Sequence, residues 1–235
     1  MLIDPIATVR SCFGEKFAVP RQPGLCPSAW GRLVFHPAYR SPEAVRGIEG
    51  FSHLWLVFGF HETVAQGWKP TVRPPRLGGK QRIGVFASRS TFRPNGLGLS
   101  LVRLEGIEMT PADGPVLLLA GLDLLDGTPV YDVKPYLPYA EALPDAVAGF
   151  AAEAIPRLRV AVDPGSLGAF EALPTRARAV VLEVLALDPR PATQTADSSR
   201  IFGASLCGCN IRFRIHDGEC RIVEIRPAEA SGLNI

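Results

Sequence analysis

No apolar run in this chain is long enough to cross a bilayer. The longest, residues 54–60 and 116–122, are seven residues each, against the roughly 20 that a membrane-spanning helix needs. Cysteine is scarce, five in 235 residues with no Cys-x-x-Cys pair, which argues against a disulfide framework or a zinc ribbon and for a reducing, cytoplasmic setting. Asp4 and Pro5 stand where a secretory signal needs a basic start and an unbroken apolar stretch, so export is not expected. Lysine is rare beside arginine, 4 against 21. Arginine's planar fork suits phosphate, carboxylate and base edges, although a GC-rich coding sequence gives the same bias.

Acid is missing altogether from residues 63–104, where Lys69, Arg73, Arg76, Lys80, Arg82, Arg89, Arg93 and Arg103 contribute +8. The whole chain carries only +2, so the remainder carries −6. Residues 105–154 hold nine acids against one base, Lys134. A cationic block beside an anionic one reads as a grip for an anion next to a place that tolerates a cation, or as solvated faces of neighbouring strands.

Several familiar site signatures are also absent. Gly96-Leu97-Gly98 lacks the third glycine of a dinucleotide fingerprint and precedes a strand. Gly78-Gly79-Lys80-Gln81 lacks the Ser or Thr of a phosphate loop, and Ala65 stands where a zinc-protease helix after His61-Glu62 needs its second His. Gly98-Leu99-Ser100-Leu101 fails as a nucleophile elbow at its last position. No metal site is expected; Cys207-Gly208-Cys209 reads as small residues on a strand, and His36 and His53 as structural.

What is present is β-forming. Gly and Pro together make up about a fifth of the chain, 23 and 22 residues, which disfavours helical bundles. Residues 6–11, 51–60, 82–88, 97–104, 116–124 and 130–133 read as strands, with Asp126-Gly127 marking a tight turn. Segments 17–24 and 67–82 are Pro- and Gly-rich loops, the second long and basic. The strands follow one another without room for crossover helices, which predicts a mainly β fold: an antiparallel β-barrel N-terminal domain, 1–144. Residues 145–235 read as a smaller α+β C-terminal domain, with helices over 146–154 and 169–187 and a hairpin over 201–225 that turns at His216-Asp217-Gly218.

Polar interruptions in this sheet carry a resemblance. Lys16-Phe-Ala-Val-Pro-Arg-Gln-Pro-Gly24, Gly67-Trp-Lys-Pro-Thr-Val-Arg-Pro-Pro-Arg-Leu-Gly-Gly79, Gly84-Val-Phe-Ala-Ser-Arg-Ser-Thr-Phe-Arg-Pro-Asn95, Leu122-Asp-Leu-Leu-Asp-Gly-Thr-Pro129 and Asp132-Val-Lys-Pro-Tyr-Leu-Pro138 resemble the TsaA-like family, the tRNA (adenine-N6)-methyltransferases called TrmO. Leu185-Ala-Leu-Asp-Pro-Arg-Pro191 resembles the start of that family's carboxy-terminal region. The chain departs from the pattern at Glu62, where Gln is common, and at Gly96-Leu97, where Pro-Ile is common.

The resemblance implies a β-barrel, homodimeric, S-adenosylmethionine-dependent enzyme that methylates N6 of threonylcarbamoyladenosine at position 37, beside the tRNA anticodon. Carried over residue by residue, it implies cofactor contacts at Pro20, Arg21, Gln22, His61, Glu62, Arg89, Leu99, Asp123, Leu124, Leu125 and Asp126. A donor bearing a sulfonium, an amine, a carboxylate and a flat base wants carboxylates, an Arg fork and apolar walls, which Asp123, Asp126, Arg89 and Leu99 supply as residue types. Methyl transfer is an in-line displacement that needs alignment rather than a metal.

The acylated target nitrogen is a weak nucleophile, and Asp132 or Tyr136 is the expected base. An ion-paired strand end is the competing reading of Asp132-Val133-Lys134. The anticodon loop is expected on Trp68, Lys69, Arg73, Arg76, Arg82 and Arg93, with Arg176, Arg178, Arg212 and Arg214 extending the basic surface. A module that binds the donor or an RNA loop without turnover is the alternative. A barrel hydrolase is disfavoured because no nucleophile and base pair is legible.

Overall fold

The computed structural model describes residues 2–191 and 200–228. Runs that alternate aliphatic and polar residues become strands because one row of side chains can face a core while the other faces outward. Six of them close on themselves: β1 (Ala7–Ser11), β2 (Trp30–Phe35), β3 (His53–Gly59), β6 (Leu97–Thr110), β7 (Gly114–Ala120) and β8 (Pro129–Pro135). Their order around the barrel is β1-β2-β7-β6-β3-β8 and every pairing is antiparallel. Register shifts at Leu104/Gly106 and Val57/Phe58 give the long strands the local bends that closure requires. Leu54, Leu56 and Phe58 of β3 point inward against Val9, Leu33, Leu117, Leu119, Leu122 and Leu124. The antiparallel barrel expected from the strand spacing is the observed one.

Closure fixes which loops share an end. Gly59 pairs with Leu97 and Trp30 with Ala120, while Ser11 is opposite Gly31. Loop 12–29, connection 60–96 and loop 121–128 therefore all leave and re-enter the barrel at one rim. Connection 60–96 carries a two-residue ladder between β4 (Thr71–Val72) and β5 (Ile83–Gly84).

Beyond the barrel come a single helical turn, α1 (Pro138–Glu141), then β9 (Arg159–Val162), α2 (Leu167–Glu171), α3 (Thr175–Ala186), β10 (Phe202–Leu206), β11 (Cys209–His216) and β12 (Glu219–Pro227). The strands form a sheet of order β10-β11-β12-β9, parallel only between β12 and β9. Val180, Val181, Val184 and Leu185 of α3 pack on Phe202, Leu206, Ile211, Phe213 and Ile222. Cys12, Phe13, Ala18, Cys26 and Ala29 of the β1–β2 loop are buried in the same core, and Phe13 bridges Leu206. Part of the first half of the chain is thus interior to the second. No helix among the described residues is long and apolar enough to cross a membrane.

Four local expectations change. Residues 82–88 pair only at Ile83–Gly84 and then turn over Val85–Ala87, because the Arg93 guanidinium donates to the carbonyls of Val85 and Ser88, at 3.3 and 2.8 Å, and holds the turn. Residues 146–154 form one short turn, Gly149–Ala151, instead of a helix; all nine are exposed, and a short segment without a packing face does not hold a helix. The helix over 169–187 divides into α2 and α3 at Pro174. The final hairpin is doubled: Cys207-Gly208 and Asp217-Gly218 both turn with positive φ, 53 and 75°, 46 and 75°, as two-residue hairpin turns require. Cys207 accordingly sits in a turn, not on a strand. The turn at Asp126-Gly127 is present, but β7 and β8 pair with other strands.

Candidate active site

At the shared rim, side chains from the three loops meet around Asp123. Ser100, on the inward row of β6 and fully buried, donates from Oγ to Asp123 Oδ1 at 2.5 Å. Arg89, from the connection, faces the same carboxylate electrostatically and donates from Nη1 to Gln22 Oε1 at 2.5 Å. Gln22 in turn donates to the Arg21 carbonyl, and Arg21 Nη2 reaches the Arg190 carbonyl at 3.3 Å, tying the loop to the segment after α3. Burial pushes the Asp123 carboxyl up to about 6, although the Ser100 hydroxyl and the Arg89 charge both pull it down. Among the described residues Asp123 has no ion pair within 4 Å.

The other expected contacts divide. Pro20 is buried beneath the loop. His61 and Glu62 close β3 at the same rim, with Nε2 and Oε1 3.7 Å apart. Leu124 is 1% exposed and belongs to the barrel core, so its side chain is turned away from the rim surface, while Leu125 lies at intermediate depth. Asp126 uses Oδ1 to accept the Ser11 N–H at 2.9 Å and sets Oδ2 3.6 Å from Arg10, so it braces the loop against β1. Leu99, 53% exposed, points outward from β6, opposite in direction to Ser100.

The two expected bases are not brought to Asp123. Asp132 lies on the outer face in a row with Val57 and Leu99, and its Oδ2 is 2.9 Å from Lys134 Nζ, which is the ion-paired strand end of the competing reading. The Tyr136 N–H donates to the His53 carbonyl at 3.0 Å, and its ring meets Trp55 edge-on. His53 is three strand steps from Leu56, which is opposite Ser100, so Tyr136 is about 10 Å along the strands from the level of Ser100 and Asp123 at roughly 3.3 Å per residue. Ser100 was missed at the sequence level. Its signal is a lone hydroxyl at the inward position of a strand whose next inward residues are Val102 and Leu104.

Most of the basic block keeps its charge free. Of the eight cations, Arg103 pairs with Glu105 while Lys69, Arg73, Arg76, Lys80, Arg82, Arg89 and Arg93 form no ion pair among the described residues; three of the acids that follow are held by arginines from elsewhere in the chain, Glu105 by Arg176, Glu108 by Arg32 and Asp113 by Arg40. Lys69 lies over the Phe92 ring at 4.2 Å and Trp68 is 54% exposed. Arg93 is occupied with the Val85–Ala87 turn. Of the cations expected to extend this surface, Arg176 and Arg212 are paired with Glu105 and Glu224. No group of three His, Cys, Asp or Glu among the described residues is placed to hold a metal ion.

Comparison with known proteins agrees over nearly the whole length. The family model described as the tRNA-methyltransferase O N-terminal domain matches residues 8–142, and the TrmO C-terminal domain matches residues 158–228. A protein of Escherichia coli (strain K12) named tRNA (adenine(37)-N6)-methyltransferase is 47% identical over 230 residues, covering 95% of this chain and 97% of its own. One of the same name from Eikenella corrodens is 46% identical over 179 residues, covering 76% of this chain and 99% of its own. The crystal structure of TrmO from Pseudomonas aeruginosa matches with a TM-score of 0.78 at 37% identity, covering 96% of this chain and 98% of that one. With both family domains present in order, the chain belongs to the TrmO family.

Proposed function

We propose that this protein is an S-adenosylmethionine-dependent methyltransferase acting on N6 of threonylcarbamoyladenosine at position 37 of tRNA, working in the cytoplasm as a homodimer. Residues 1–144 are the donor-binding, catalytic part, and residues 145–235 a smaller domain that braces the rim loop and adds RNA contact. The observation that carries this reading is the convergence of Gln22, Arg89, Asp123 and Ser100 at the rim from which an unneutralised cationic connection rises.

The residues fit the donor. Arg89 forms no ion pair within 4 Å among the described residues, its Nη1 being held by Gln22, and offers its fork to the ligand's carboxylate. A mostly buried carboxylate without an ion pair, Asp123, favours a cationic ligand group beside it. Arg21, Gln22, His61, Glu62, Leu125 and the backbone around Pro20 and Leu124 line the same mouth, with Leu99 as an apolar wall on its outer side; Asp126 holds the loop in place. When bound, S-adenosylmethionine supplies an electrophilic methyl group. The chain's own part is to hold donor and adenosine in line and to exclude water, which is where much of the acceleration of a displacement comes from.

The RNA enters over connection 60–96. Lys69, Arg73, Arg76 and Arg82 meet phosphates, Trp68 stacks on an unpaired base of the anticodon loop, and Arg93 keeps the turn that presents them. Incubation with methyl-labelled donor and two tRNA preparations, with and without the threonylcarbamoyl group, tests the proposal. Label on N6 of adenosine 37 in the modified tRNA is expected. Retention of donor with no transfer to either tRNA would instead make the chain a binding module.

A further inference from the structure

We propose that the Asp123 carboxylate takes the N6 proton of the substrate adenosine, and that Ser100 is the residue that positions it. This rests on the methyltransferase reading above and assigns the proton acceptor within it.

The acids of the chain's polar loops differ in how each is held. Asp132 is on the outer wall with Lys134, and Tyr136 lies three strand steps from the level of Ser100, its ring set against His53 and Trp55. Asp126 is committed to the Ser11 N–H and to Arg10, and Glu62 is an exposed side chain with Oε1 3.7 Å from His61 Nε2. Asp123 alone of these is sheltered at the rim without an ion-pair partner among the described residues. One oxygen, Oδ1, is fixed by Ser100 at 2.5 Å, which leaves Oδ2 to accept a proton from a group above the rim. The groups facing it are Ser100 from β6 and Arg89 from the connection, and Asp126 lies further along the same loop.

Its protonation midpoint near 6 suits a base at neutral pH: mostly ionised, yet a far better acceptor than an exposed carboxylate. A neutral hydroxyl inside an apolar barrel also needs a reason, since burying it without a partner is costly. Holding this carboxylate is the partner it has.

The step balances. The N6–H bond breaks and its proton moves to Asp123 Oδ2; the nitrogen electron pair forms the new N–C bond to the donor's methyl, while the pair of the broken C–S bond stays on sulfur. A neutral amide nitrogen, a sulfonium and a carboxylate become a neutral methylated nitrogen, a thioether and a carboxylic acid. The acid then returns its proton to water.

Two readouts test this in the full-length protein. Carboxyl carbon NMR titration without donor is expected to place Asp123 near pH 6, and Ser100→Ala, which removes a hydrogen bond to the ionised form, is expected to move that midpoint alkaline. The acid limb of the kcat–pH profile should move with it, by about one pH unit. Asp123→Asn should lower kcat by about 100-fold or more when measured at saturating donor, so that any loss of donor binding is separated from the chemical step. Asp123 titrating near 4, the ordinary carboxylate value, would overturn the proposal even if neither variant folds. So would an acid limb unmoved by Ser100→Ala, or an Asp123→Asn enzyme that keeps kcat at saturating donor. Any of these leaves methyl transfer by the unaltered protein intact, whereas absence of that transfer defeats the methyltransferase reading itself.

Discussion

Asp123 shows how a residue set for chemistry weakens the fold that carries it. Its folded value of about 6 lies above the ordinary 3.8, so the native state binds more protons than the unfolded chain between those two pH values. Stability from this group is therefore full below about pH 4 and is lost as pH rises through about 6. Two units correspond to a penalty on the order of 2–3 kcal/mol at pH 7. Asp123→Asn should accordingly raise the melting temperature at pH 7 and have little effect at pH 4, which thermal unfolding monitored by circular dichroism checks. Gly31 answers to a different constraint. A Cβ there meets the Arg10 carbonyl oxygen at 2.6 Å and Leu122 at 2.8 Å, and backbone cannot give way, so Gly31→Ala should cost roughly 1–3 kcal/mol in chemical denaturation. At this scale the sequence announces residue types well and pairings poorly. Arg89 and Asp123 stand out as a fork and a carboxylate in polar interruptions of an apolar sheet. Their neighbours Gln22 and Ser100 are separated from them by 67 and 23 positions, and only closure of the barrel makes them adjacent.

Connection 60–96 is the element on which recognition turns. Its cations are visible in the sequence, but only the structure shows that Glu105, Glu108 and Asp113, the first acids after them, are paired with arginines from elsewhere, Arg176, Arg32 and Arg40. If Lys69, Arg73, Arg76 and Arg82 each meet a phosphate, replacing all four with Ser should flatten the dependence of log affinity for tRNA on log salt by about 3, at roughly 0.7–0.9 per phosphate. Replacing Arg40, already paired with Asp113, should leave that slope unchanged. Filter-binding titrations at several salt concentrations measure both. Elements were legible where an apolar face was available to set them. β3 and β6 appear where residues 51–60 and 97–104 predict them, because a buried row every second residue leaves little choice. Residues 146–154 are rich in helix formers yet exposed, and propensity without a packing face does not sustain a helix. Segment 82–88 reads as a strand, but the Arg93 guanidinium draws its carbonyls into a turn instead.

At the scale of the molecule, a boundary drawn in sequence at 144/145 does not follow the apolar interiors. Loop 12–29 leaves the barrel, and Cys12, Phe13, Cys26 and Ala29 are buried beneath α3 and β10. Ser28 is held there as well, its N–H and hydroxyl donating to Glu183 at 2.9 and 2.7 Å. A fragment ending at residue 144 should expose these side chains and melt well below the full chain, with dye-reported apolar surface at room temperature; equal melting of the two would show that the second domain lends the loop nothing. This dependence bears on the site, since the same loop carries Pro20, Arg21 and Gln22. Composition could not show it, because the contacts join residues more than 150 positions apart. The account stands on one rim of the barrel being the donor site. The most direct measurement is a crystal structure with S-adenosylhomocysteine. It should show the ligand's carboxylate within hydrogen-bond distance of Arg89 and its body against Gln22 and the 121–128 loop. Ligand lodged at the opposite end of the barrel, beside His53 and Tyr136, would contradict it.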